Sequence, residues 1–123
     1  AHWNMENPSV TTYLERYALA VLYYATDGPN WKKQDLNFLT DANVCDWNNN
    51  VPPDGMDPVG IYCEDVSSVQ NIFLDELGLA GTLPWELTLL SNLEFLSIIG
   101  NELTSSTAKE AGNLHEFRFL ISE

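Results

Sequence analysis

VQNIFLDELGLAGTLPWELTLL, residues 69–90, decides how the chain is read. Val69, Ile72, Leu74, Leu79, Gly81, Leu83, Pro84, Leu87 and Leu90 set a pattern, and a step of 24 residues brings it back. Leu93, Leu96, Ile98 and Leu103 arrive on that step, followed by Ala111 and Leu114; Phe117 and Leu120 open a third copy. The copies are 69–92, 93–116 and a partial 117–123. Leucines at fixed offsets in a period of this length are the sequence mark of a solenoid. One coil cannot bury its own leucines, so each needs a neighbour.

The spacing within a copy has a mechanical reading. Leu96 and Ile98 alternate with period 2 and share one face of a short strand. Asn101 is placed to turn the chain and to offer its amide to backbone groups left open by the bend. Gly81-Thr82-Leu83-Pro84 makes a second bend, after which Trp85 to Leu90 returns along the far side.

Residues 69–120 resemble the plant-type leucine-rich repeat, Leu-x-x-Leu-x-Leu-x-x-Asn-x-Leu-x-Gly-x-(Ile/Leu)-Pro-x-x-Leu-x-x-Leu. Residues 10–63 resemble the N-terminal cap of plant and algal members of that family. The resemblance implies an α/β leucine-rich repeat solenoid, with short parallel strands on its concave face and a helical, disulfide-bonded cap at its N-terminus. The cap is expected over 1–68 and the repeats over 69–123. Leu77 stands where the family has Asn, Ser105 replaces Gly and Ala108 replaces Pro, so the second coil is expected to be looser than the family's. The family works by non-covalent recognition, in receptor ectodomains and in secreted inhibitors or adhesive proteins.

In the cap, Asn7-Pro8 reads as a helix start, with Asn at the N-cap and Pro in the first turn. Val10, Tyr13, Leu14, Tyr17, Val21, Tyr24 and Ala25 recur at helical spacing, and Leu19, Leu22 and Tyr23 widen the apolar stripe beyond one face, so a mostly covered helix over 8–26 is expected, its tyrosines packed in the core. Asp27-Gly28-Pro29 ends it, with Gly28 expected to take the left-handed exit. Cys45-Asp46-Trp47 and Gly60-Ile61-Tyr62-Cys63 match the two parts of the family's Cys-x-Trp-x-Gly-Val-x-Cys frame, with Asn48 to Val59 inserted between them as an exposed loop. The resemblance implies a Cys45–Cys63 disulfide, and with it an oxidising, extracellular compartment. A zinc or redox reading of the cysteines has little beside it: there is no Cys-x-x-Cys, and only His2 and His115 are available as further ligands. Better helix formers at Ala108 to Leu114 point to a short convex-side helix there.

At 123 residues the chain is sized for one domain. Its formal net charge of −13 repels nucleic acid and anionic membrane surfaces and suits a basic partner or a divalent cation. No stretch reaches the ~20 apolar residues of a membrane span, so any membrane anchor is expected outside this segment. Tyr17 to Ala25 is apolar but follows Glu15 and Arg16 directly, unlike the core of a signal peptide. No acceptor for N-glycosylation is present, because Pro8 blocks the one candidate at Asn7.

Catalytic readings are weak. His115 has no acid at helical spacing. Asp75, Glu76 and Glu94 offer carboxylates for a glycan hydrolase, a reaction that needs a shielded acid in a deep cleft. Asp41, Asp46, Asp54, Asp57, Glu64 and Asp65 gather around the cap without the spacing of a dedicated calcium loop. No enzyme, metal or cofactor is expected. The informative surface is the inner face of the strands, where the 24-residue step stacks three columns: Asn71, Phe95 and Phe119; Phe73, Ser97 and Ile121; Asp75, Ile99 and Glu123. An apolar ladder rimmed by acids marks a contact site for a protein or peptide. The competing expectation is a structural segment that caps a longer array or a matrix protein and binds nothing itself. The alternating stretch at 115–123 adds a third expectation, self-association through a C-terminal strand edge.

Overall fold

The computed structural model describes residues 8–63, 68–104 and 118–121. The expected convex helix at Ala108 to Leu114, the replacements Ser105 and Ala108, His2, His115, Glu64, Asp65 and Glu123 lie outside the described residues.

Helix α1 spans Pro8–Ala25, within one residue of the expected range. Its buried face is Glu15, Ala18, Leu19 and Leu22, which recur at intervals of three and four. Tyr13 (74% exposed), Tyr17 and Tyr24 lie outside, so the expected tyrosine core is wrong. The reason is Glu15: a carboxylate at the N-terminal end of the covered stripe draws a count of apolar residues toward the tyrosine-bearing positions instead. The exit also differs from expectation. Asp27, not Gly28, takes the left-handed conformation (φ 64°), and Asn30 Nδ2 donates to its Oδ1 at 2.9 Å. Gly28 is instead a point of close approach, since a Cβ there would sit 2.3 Å from the Tyr23 ring.

Behind the helix the cap is an aromatic cluster. Trp31 packs edge-on to Tyr23 and Phe38, both at 5.1 Å between centroids, and Phe38 reaches Trp47 at 5.0 Å. Arg16 closes it from α1, with its guanidinium 5.0 Å from the Trp47 ring centre and donating to the carbonyls of Thr40 and Ala42. The disulfide joins Cys45 to Cys63, whose Cα atoms are 5.3 Å apart.

Four strands form one sheet in the order β1 (Gly60–Cys63), β2 (Val69–Phe73), β4 (Phe95–Ile98), β6 (Arg118–Ile121). β1 runs antiparallel to β2; the other two pairings are parallel. A second, two-stranded parallel pair joins β3 (Ala80–Gly81) to β5 (Glu102–Leu103). β2 and β4 pair Asn71 with Phe95 and Phe73 with Ser97, an offset of 24 residues. The valine, leucine and isoleucine positions of the pattern from Val69 to Leu103 are all buried in one core with Leu19 and Leu22.

Side chains tie the successive turns of the chain. Asn101, 4% exposed, donates from Nδ2 to the carbonyls of Leu74 and Ile98 and accepts at Oδ1 from the N–H groups of Leu77 and Leu79. One amide thus serves both bends, including the earlier one that carries Leu77 in place of Asn. Asp75 Oδ1 accepts from Ser97 Oγ and from the Ile99 N–H. After the second bend the chain runs through a 3-10 turn, Trp85–Leu89, which packs against α1. Gly81 (φ 92°) lies where the helix end arrives; a Cβ would come within 2.4 Å of the Ala25 carbonyl oxygen.

Candidate functional site

The insertion between the two cysteine-bearing parts is exposed at its tip, as expected, but its base is built in. Asn48 is buried and donates from Nδ2 to the carbonyls of Cys45 and Ile61. Asn49 Oδ1 accepts from the N–H groups of Val51 and Val59, and its Nδ2 donates to the Asp57 carbonyl. The Tyr62 hydroxyl, on β1, shares its proton between Asn49 Oδ1 and the Val51 carbonyl. Burial raises the Tyr62 pKa above its ordinary value, so this link stays protonated. The loop therefore stands beside the sheet as a wall.

Between that wall and the sheet lies a cleft of about 600 Å³. Pro53, Asp57, Pro58 and Val59 line it from the insertion. Phe73, Asp75, Glu76, Phe95, Ser97 and Ile99 line it from the strands and the turns after them. The rings of Tyr62, Phe73 and Phe95 step across β1, β2 and β4 with successive centroids 5.6 Å apart. Phe73 and Phe95 are half-buried and Ile99 is exposed, while Ser97 forms part of the floor, hydrogen-bonded to Asp75.

Five expected residues, Phe73, Asp75, Phe95, Ser97 and Ile99, meet here. Asn71 sits beside Phe95 in register but does not line the cleft. Phe119 and Ile121 do not continue their expected columns. β6 pairs Arg118 with Phe95 and Leu120 with Ser97, so the step to the third strand is 23 residues, not 24. Phe119 and Ile121 fall in the rows of the buried Leu96 and Ile98. A slip of one residue exchanges the two faces of a strand.

Sequence reasoning missed the wall, because Pro53, Pro58 and Val59 read only as loop residues; the insertion's position inside the cap frame was the available signal. Of the three carboxylates weighed for glycan hydrolysis, Asp75 and Glu76 line the cleft, while Glu94 lies outside it and accepts from Gln70 Nε2. Among the described residues no group of three or more His, Cys, Asp or Glu is placed to hold a metal ion. Also among the described residues, no helix is long and apolar enough to cross a membrane. The disulfide is compatible with an extracellular location. Comparison of the chain with protein-family models, with curated proteins and with solved structures finds no match.

Proposed function

We propose that this chain is an extracellular recognition module of the leucine-rich repeat type, which binds a protein or peptide partner through the strand face beside the inserted loop. The observation that carries the reading is the aromatic row of Tyr62, Phe73 and Phe95, two of whose rings lie in an open cleft rather than in the core. Aromatic side chains present large contact area at low cost in conformational entropy and are enriched at interfaces. The 24-residue parallel register and the Asn101 bridge support the repeat reading, and the disulfide supports the compartment.

Selection of random linear 12-residue peptides on the immobilised chain tests the proposal. Sequences enriched on the wild type are expected to be lost on a Phe73→Ala, Phe95→Ala variant whose circular dichroism is unchanged. Equal enrichment on both proteins, or none on either, would favour the structural alternative of a capping segment with no ligand of its own.

A further inference from the structure

The cleft is lined by both apolar and acidic residues. Asp57 from the insertion, with Asp75 and Glu76 from the turn after β2, brings three carboxylates to its lining, and among the residues whose side chains are described no basic one lines it. Among the described residues the one ion pair is Lys33 with Asp35, so none of the three is neutralised by a described cation. The Glu76 side chain lies across Gly100, where a Cβ would come within 2.7 Å of Glu76 Cγ. Asp75 is fixed by Ser97 and the Ile99 N–H. Phe73 and Phe95 of the aromatic row line the same cleft as these acids.

We infer that the cleft takes an extended basic peptide, with an apolar side chain on Phe73 and Phe95 and an adjacent Arg or Lys between Asp57 and Glu76. Charge complementarity argues for the cation. No described cation pairs with the acids, and Pro53, Pro58 and Val59 bring apolar surface to the same cleft. The formal net charge of −13 draws such a partner in from a distance, and the rings add a face on which a guanidinium can rest. An anionic or purely apolar segment would leave three carboxylates facing it without compensation. The inference rests on the binding reading above and adds the chemistry of the ligand.

The experiment is the same random 12-residue peptide selection, run on the full chain and on two charge-matched variants. Asp57→Asn with Glu76→Gln removes two charges at the cleft; Asp41→Asn with Glu102→Gln removes two exposed charges elsewhere. Enriched peptides are expected to carry Arg or Lys next to an aromatic or aliphatic residue. Their affinity is expected to fall about tenfold or more on the cleft variant, to stay within about twofold on the control variant, and to weaken with salt. Scrambled peptides that separate the cation from the apolar residue should lose the same affinity. Three results overturn the inference. Enriched peptides without a basic residue, lost on Phe95→Ala but retained on the cleft variant, would leave the binding reading standing and remove the charge preference. Equal losses on the two charge variants would reduce the effect to net charge. No enrichment above the Phe73→Ala, Phe95→Ala protein would remove both readings.

Discussion

Nδ2 of Asn101 donates to the carbonyl oxygen of Leu74 at 2.8 Å, across 27 residues of chain. The same amide group satisfies the Ile98 carbonyl and the N–H groups of Leu77 and Leu79, which uses all of its donors and acceptors. Asn101→Ala would leave several buried backbone groups unpaired, each at a cost of about 1–3 kcal/mol. A loss of about 3 kcal/mol or more in urea unfolding is expected. Asn101→Asp keeps the acceptors, loses both donors and buries a charge, so it should rescue nothing. A loss under about 0.5 kcal/mol for the alanine variant would show that water or chain movement replaces the bridge.

Glu15 gives a pH signature. It is 1% exposed; its Oε2 accepts from Ser68 Oγ and the Val69 N–H, and its Oε1 is buried without a hydrogen-bond partner among the described residues. Burial raises its pKa above the ordinary glutamate value, and the two hydrogen bonds offset this only in part. In the folded state the charged form is therefore the disfavoured one. Below about pH 4.5 the group carries its proton in both states and costs nothing by this route. As the pH rises from there to the folded-state value, the unfolded chain releases the proton first and stability is lost. Glu15→Gln removes that slope while keeping an acceptor for Ser68 and Val69. The stability of wild type minus variant, from urea unfolding between pH 4 and 8, should become more negative as pH rises. A difference constant with pH would show that Glu15 does not titrate differently on folding.

These two residues also mark what the sequence discloses. The turn role of Asn101 was legible because its offset from Leu96 and Ile98 is local. That it serves the bend at Leu77 as well depends on the neighbouring turn of chain, which no local window contains. The helix was legible from Pro8 to Ala25, and Leu19 and Leu22 of its buried face with it, but Glu15 was not: it is a carboxylate on that face, and its hydrogen-bond partner Val69 is 54 residues away. Half the cleft was legible from the columns through Phe73 and Phe95. The other half is an insertion whose posture is set by Asn49 and Tyr62, which are 13 residues apart.

The disulfide closes the loop that carries that insertion, with a separation of 18 residues. A loop of this length corresponds to about 3 kcal/mol of denatured-state entropy. Cys45→Ser with Cys63→Ser should lower the melting temperature and weaken any peptide selected on the cleft, because both the wall and β1 depend on that frame. Mass spectrometry of protein from an oxidising host should find no free thiol at either position. Two free thiols there, or an unchanged melting temperature in the double variant, would contradict this.

β6 lies at the edge of the four-stranded sheet, paired with β4 on one side and with no strand beyond it among the described residues. Such an edge offers backbone groups to another chain. The segment is expected to self-associate, with a sedimentation coefficient that rises with concentration. A lysine at Leu120 should oppose this, because a charge on an edge strand resists pairing. A wild-type protein that stays monomeric at millimolar concentration would show that the edge is covered.

The register of β6 is itself open to test by charge placement. In Phe117-Arg118-Phe119-Leu120-Ile121 three apolar residues run together, so the alternation that would fix a register from sequence is missing. A step of 24 from β4 would put Phe119 and Ile121 in the rows of Phe95 and Ser97, toward the cleft. The observed step of 23 puts Arg118 and Leu120 in those rows, and Phe119 and Ile121 in the rows of Leu96 and Ile98. Leu96 and Ile98 are fully buried, so a charge introduced beside them in register is expected to be costly. Phe119→Lys and Ile121→Lys should each destabilise by about 2–4 kcal/mol, in the range of core disruptions. Leu120→Lys should cost less than either, since its neighbour in register is the polar Ser97 rather than a fully buried aliphatic residue. Urea unfolding of the three single variants separates the two registers. A severe loss at Leu120 with tolerance at Phe119 and Ile121 would restore the 24-residue step and return Phe119 and Ile121 to the candidate binding face.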